Sequence, residues 1–154
     1  MFQSMTYGKM NIEQIPKKIL CFYEDHKKYD TQTYIVVGTD SQGFASETKI
    51  VTVIAVVNEG HGGIYFYEIT HHNKISDIRK KLYTETQASL EVAENLVELI
   101  EDDKTYEEMY LECPISIHID AGNSPKGKTK DLIAGLTGWV SAMGYDCEVK
   151  PESE

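Results

Sequence analysis

Three strand-like runs, joined by connections too short for a crossover, constrain this chain more than any other feature. Thr33 to Asp40, Lys49 to Val57 and Ile64 to Thr70 are rich in β-branched and aromatic residues. Ser41-Gln42-Gly43 opens the first connection and Glu59-Gly60-His61-Gly62-Gly63 fills the second, giving about eight and six residues respectively. Parallel neighbours need a crossover of about a dozen residues or more, so these strands are predicted to be antiparallel and hairpin-linked. A different rhythm follows. Ile75 to Ile100 repeats its apolar residues at helical spacing, Ile115 to Asp120 reads as a strand, Thr129 to Met143 as a helix and Cys147 to Lys150 as a short final strand. These later connections permit parallel crossovers. Upstream, Asn11 to about Lys28 reads as an amphipathic helix with Pro16 in its first turn. The order as a whole predicts an α/β domain with a mixed five-stranded sheet and helices packed on its faces.

At 154 residues and 41% apolar content the chain is the size of one ordinary domain, 1–154, with enough apolar surface for a core that needs no disulfides. Cys21, Cys113 and Cys147 are odd in number and lack CxxC spacing. That suits buried thiols in a reducing compartment and disfavours structural zinc. Met1 to Met10 has no apolar signal core, and no stretch approaches the roughly 20 apolar residues of a membrane helix, so a cytoplasmic protein without membrane contact is expected. The formal charge of -10 makes the average surface repel nucleic acid, so any such partner must be met through a local basic patch or bridging cations.

Three carboxylates break their local pattern. Asp40 closes the run Tyr34-Ile35-Val36-Val37-Gly38-Thr39, and Asp120 closes Ile115-Ser116-Ile117-His118-Ile119 in the same way. Either could be a solvated residue at the entry to a loop. If the two strands are parallel neighbours, however, both acids lie at one edge of the sheet. Glu85 falls on the apolar stripe of its helix with Ile78, Leu82, Ser89, Val92 and Leu96, whereas Glu91, Glu94, Glu98 and Glu101 fall on the opposite side. A single Glu pointing inward reads either as a carboxylate held by a buried hydroxyl or lysine, or as a ligand. Together the three acids would repel one another unless divalent cations neutralise them, and all-oxygen ligands suit Mg²⁺ or Mn²⁺. Such ions can activate a water and stabilise the leaving oxygen of a phosphodiester.

Several short motifs, Gly38-Thr39-Asp40-Ser41-Gln42, Leu82-Tyr83-Thr84-Glu85 with Ser89-Leu90-Glu91, and His118-Ile119-Asp120 followed by Gly127-Lys128-Thr129-Lys130, occur here in combination. In this the chain resembles the YkuK-type ribonuclease H-like family, bacterial proteins long catalogued as of unknown function. The similarity runs from Tyr7-Gly8-Lys9-Met10 through Lys150-Pro151. It implies a ribonuclease H-like fold with Asp40, Glu85 and Asp120 at the positions of the superfamily's metal-binding, catalytic acids. It also implies a further helix with a fourth acid beyond Lys150-Pro151-Glu152-Ser153, which a sequence ending at Glu154 is expected to lack.

Gly122-Asn123-Ser124-Pro125-Lys126-Gly127-Lys128-Thr129 matches the phosphate-cradling pattern GxxxxGK[ST] between a strand and a helix. Only 25 residues follow Thr129, with no apolar strand ending in a second metal-holding Asp, so nucleotide hydrolysis is disfavoured. The same stretch reads as a capped turn, or as a basic patch of Lys126, Lys128 and Lys130 that meets a substrate phosphate. Arg79, Lys80 and Lys81 form a second basic cluster, and most such runs are solvated helix faces. His71, His72 and His118 read as surface or supporting residues. Ser41 has no evident His/Asp partner that would make it a nucleophile.

The leading expectation is a Mg²⁺/Mn²⁺-dependent phosphodiesterase acting on nucleic acid, RNA, DNA or a hybrid. The alternative is a non-catalytic ribonuclease H-like module that binds nucleic acid or a protein.

Overall fold

A computed structural model describes residues 1–121 and 126–150, the side chains of 126–128 excepted. All its strands join one sheet. In chain order they are β1 (Phe2–Ser4), β2 (Gly8–Met10), β3 (Thr33–Gly43), β4 (Glu47–Asn58), β5 (Gly63–Asn73), β6 (Ile115–Asp120) and β7 (Asp146–Lys150). The helices are α1 (Ile15–His26), α2 (Ile78–Glu101), α3 (Glu107–Glu112) and α4 (Lys126–Ala142). Strand order across the sheet is β2-β1-β5-β4-β3-β6-β7.

The three hairpin-linked strands pair antiparallel as predicted, with β4 central to the trio. Their turn uses Gly60 and Gly62 at positive φ, 81° and 90°, which a side chain would strain. β6 adds to β3 and β7 to β6, both parallel. Pro16 sits in the first turn of α1, where its missing N–H costs nothing.

The sheet has seven strands rather than the predicted five, and the excess is an N-terminal hairpin. β1 and β2 are three residues each, too short to show any periodicity in the sequence. They hold because Ser4 Oγ accepts the Thr6 and Tyr7 amides at 3.1 and 3.3 Å. Phe2 and Met10 are then buried in the core, and the N-terminal amine meets Glu68 at 3.0 Å. α3 was equally illegible. It is six residues long and anchored by the fully buried Met109.

The described helices stack on one face of the sheet, not on both. β5, β3, β6 and β7 run parallel, and the crossovers β5-α2-β6 and β6-α4-β7 step across the sheet in the same direction. Right-handed crossovers that step the same way place their helices on the same side. The core follows from that geometry. Ile35, Val37, Ile54, Val56, Phe66, Ile117 and Ile119 point from the strands into Leu82, Leu96, Ile100, Ile15, Ile19 and Val140 of the helices. Alternate positions such as Val36, Val53 and Ala55 stay half-buried on the other face.

The thiols depart from expectation. Cys113 is buried and its thiol is pushed up to about 12 by desolvation, but Cys147 is half-buried and Cys21 exposed; all three are free. No described helix is long and apolar enough to cross a membrane.

At the end of the sheet nearest the β4–β5 turn, the fully buried Asn58 closes a polar network. Its Nδ2 donates to Thr31 O (3.1 Å) and Thr33 Oγ1 (3.0 Å), and its Oδ1 accepts from Thr31 Oγ1 (2.5 Å). Asn58→Ala should lower unfolding free energy by about 1 to 2 kcal/mol, because the buried Thr33 hydroxyl and the half-buried bonds to Thr31 lose their partner at once. Urea denaturation measures this. A change near zero would mean that water replaces the amide without loss.

Candidate carboxylate site

Asp40 and Asp120 come together as the register requires. Gly38 is paired with His118 across the parallel strands β3 and β6, so two residues further along the acids stand side by side. Asp120 ends β6, but β3 runs on to Gly43, so Asp40 lies inside its strand rather than closing it. The sequence made Ser41 look like a turn because Asp-Ser begins turns readily. The β3–β4 pairing instead extends the strand through Ser41, Gln42 and Gly43. Both acids point to the face without described helices, where they line a trough of ≈ 710 Å³ together with Gln42, His118 and Lys150.

Glu85 approaches from the helix side. It is 4% exposed, the one buried carboxylate among the described residues, while Glu91, Glu94, Glu98 and Glu101 are exposed as their helical phase predicts. Its Oε2 accepts from the Ser41 amide (2.9 Å) and Ser41 Oγ (2.5 Å), and forms an ion pair with Lys81 Nζ (2.9 Å). Oε1 is buried with no protein partner. One helical turn along, Ser89 Oγ meets Thr39 Oγ1 at 2.7 Å, which also meets Thr52 Oγ1 at 3.1 Å. The spacing fits because four residues of helix rise about 6 Å and two residues of strand about 6.6 Å. Alternation therefore turns Thr39 and Ser41 toward α2 and sends Asp40, between them, to the other face.

Burial is the largest influence on the Glu85 carboxyl and raises its pKa. The Ser41 and Lys81 contacts oppose this, and the nearby Asp40 charge adds to the rise. Among the described residues no group of three or more His, Cys, Asp or Glu side chains is arranged to hold a metal ion. The structure thus brings Asp40 and Asp120 together on one face and holds Glu85 one residue away through Ser41. The donor set is compatible with a hard divalent cation on one observation in particular. A buried carboxylate oxygen without a partner, beside a like charge, is a position that a cation would stabilise.

Two participants were not singled out from the sequence. Lys81 belonged to a basic cluster read as a solvated face, yet it neutralises Glu85; its i,i+4 spacing was the available signal. Ser41 was considered only as a nucleophile, and its role is to hold Glu85. Arg79 and Lys80 are exposed. His71 meets Glu47 at 3.1 Å on the surface, His72 meets Thr70, and His118 pairs with Glu148 at 3.0 Å beside the acids. Lys130 is exposed near the start of α4, whereas the side chains of Lys126 and Lys128, and Gly122 to Pro125, lie outside the described residues.

Three comparisons bear on this arrangement. Residues 14–154 match the model of a family described as ribonuclease H-like. The chain is similar to the uncharacterized protein YkuK of Bacillus subtilis (strain 168), with 27% identity over 160 residues that cover 99% of this chain and 90% of that protein. No solved structure matches it significantly.

A carboxyl whose pKa is raised on folding binds its proton more tightly in the folded state than in the unfolded one. Its contribution therefore favours folding below the ordinary value of 4.5 and declines as pH rises through the raised one. In metal-free buffer, the stability of Glu85→Gln relative to the parent should accordingly rise from pH 4.5 toward neutrality. Urea unfolding across that range tests this, since carboxylates not coupled to Glu85 cancel in the difference and the coupled Asp40 adds to the same sign. A relative loss for the variant would show that the Ser41 and Lys81 contacts outweigh burial.

Proposed function

Because the chain belongs to the ribonuclease H-like family, we propose that it is a divalent-metal-dependent phosphodiesterase acting on nucleic acid. The observation that carries the reading is the placement of Asp40 and Asp120 on adjacent parallel strands in one trough, with Glu85, its Oε1 unpartnered, near Asp40 from the helix side. Asp40 and Asp120 would hold Mg²⁺ or Mn²⁺, with Glu85 contributing from the helix side. The cation supplies Lewis-acid stabilisation of the developing charge on the phosphodiester and lowers the pKa of water.

The remaining roles fall to the chain. Ser41 orients Glu85 through two hydrogen bonds. Lys81 offsets the charge of Glu85 while no divalent cation is present. Lys150, paired in register with Asp120, brings a positive group to the trough. Lys126, Lys128 and Lys130, in the first turns of α4, would add phosphate contacts. Local cations of this kind are needed because the total charge of -10 repels a polyanion.

A second reading is a non-catalytic module that binds nucleic acid or a protein. It is favoured by the lack of any three-ligand group among the described residues.

Calorimetric titration with Mn²⁺, on the parent and on Asp40→Asn, separates the two. The catalytic reading expects saturable binding that the substitution removes. It further expects Mn²⁺-dependent cleavage of RNA, DNA or a hybrid that is lost in the same variant. Cleavage that survives Asp40→Asn, or no Mn²⁺ binding by either protein, would leave the binding module as the function.

A further inference from the structure

The face of the sheet that carries Asp40 and Asp120 is shaped by small side chains. Val36, Gly38, Val53 and Ala55, on the two central strands, form the floor of the ≈ 710 Å³ trough, and the two acids stand at one end of it. Register sets its sides. His118 stands beside Gly38 on the β6 side, and Val51 and Gln42 line the trough from β4 and β3. The floor is thus apolar with one aromatic ring, His118, at its side, while Asp40, Asp120 and Lys150 supply the polar end.

Gly38 is the informative residue. It sits in the interior of a central strand, where glycine weakens pairing, and it does not adopt the left-handed backbone that would call for it. A Cβ at this position would meet only His118 Cβ at 3.5 Å and His118 O at 3.9 Å, which is ordinary contact. Neither backbone nor packing needs the glycine. What its missing side chain adds is depth, and glycine inside a strand often marks the close approach of a ligand.

Resting on the nuclease reading above, we propose that this trough receives one unpaired nucleobase, flat against Gly38, with its phosphate at Asp40 and Asp120. The substrate is then single-stranded nucleic acid rather than a duplex. Inside a duplex the faces of a base are covered by its neighbours, and exposing one costs unstacking and unpairing energy. A free strand presents those faces without that cost. The volume suits one such group, since sites for small ligands span about 300–1,000 Å³. Contact with a base face against apolar and aromatic side chains is tolerant of sequence, because every base has a π-face. The charge arrangement agrees: Lys150 and a cation on the two carboxylates would neutralise the phosphate, while the uncharged floor takes the base.

Fluorescence anisotropy with an end-labelled oligonucleotide tests the proposal, in Mn²⁺ and separately in EDTA. The single strand should bind about tenfold more tightly than either the same strand made abasic or a blunt duplex, the scale of one stacked base. Gly38→Val, which fills the floor, and His118→Ala, which removes the one aromatic ring lining the trough, should each erase that preference. Circular dichroism confirms that both variants fold, and His118→Ala decides the matter if Gly38→Val does not. Equal binding of the abasic strand or the duplex overturns the trough whatever Mn²⁺ does. So does an absence of binding to every oligonucleotide, or a parent dimer that Gly38→Val dissociates in sedimentation. Base-dependent binding that persists in EDTA, with no effect of Mn²⁺ and no cleavage, supports the trough and overturns the metal-dependent reaction instead.

Discussion

The polar clasp between α2 and β3 is the contact on which the rest of the arrangement depends. Glu85 grips Ser41 by its amide and its hydroxyl, and Ser89 meets Thr39 one turn away. Hydroxyl and carboxylate groups this deeply buried are costly unless bonded, so they specify one sliding register of helix against strand. A shift of α2 by one turn would strand each of them. Because the clasp uses residues 39 and 41, alternation turns residue 40 to the far side, and the placement of the acidic pair follows.

Charge explains why this clasp is poised rather than inert. Lys81 meets the same oxygen of Glu85 that Ser41 holds, leaving Oε1 buried without a partner. Desolvation still raises the carboxyl pKa despite the lysine and the serine. A structural carboxylate would normally have both oxygens satisfied in such a place. One oxygen satisfied and one left over, with Asp40 close by, is the condition in which an added cation is stabilising.

Crossover handedness then decides what the acids face. Both right-handed connections carry their helices to one side, which concentrates Leu82, Leu96, Ile100 and Val140 over Ile35, Val37, Ile54 and Ile117. The opposite face keeps its half-buried Val36, Val53 and Ala55, its exposed Tyr65 and its hollow centre at Gly38. Apolar floor and acidic edge therefore occupy the same side of one sheet. That combination is uncommon in a surface that serves only to be solvated.

Local spacing in the sequence determined the antiparallel trio, the order of the later elements and the inward phase of Glu85, because hairpin length and helical period act over a few residues. The same local signals were silent on β1 and β2, whose three-residue strands form only through pairing with each other and with β5. They also misplaced the end of β3, where pairing with β4 carries the strand past an Asp-Ser turn signal. Adjacency of Asp40 and Asp120 was conditional in the sequence on β3 and β6 being parallel neighbours, and that pairing spans eighty residues. Only the tertiary structure decided which face each acid takes, that Ser41 and Lys81 hold Glu85, and that the described helices leave the acidic face open. These depend on the registry of a helix on a strand and on the shared handedness of two crossovers, neither of which is written in any short stretch of chain.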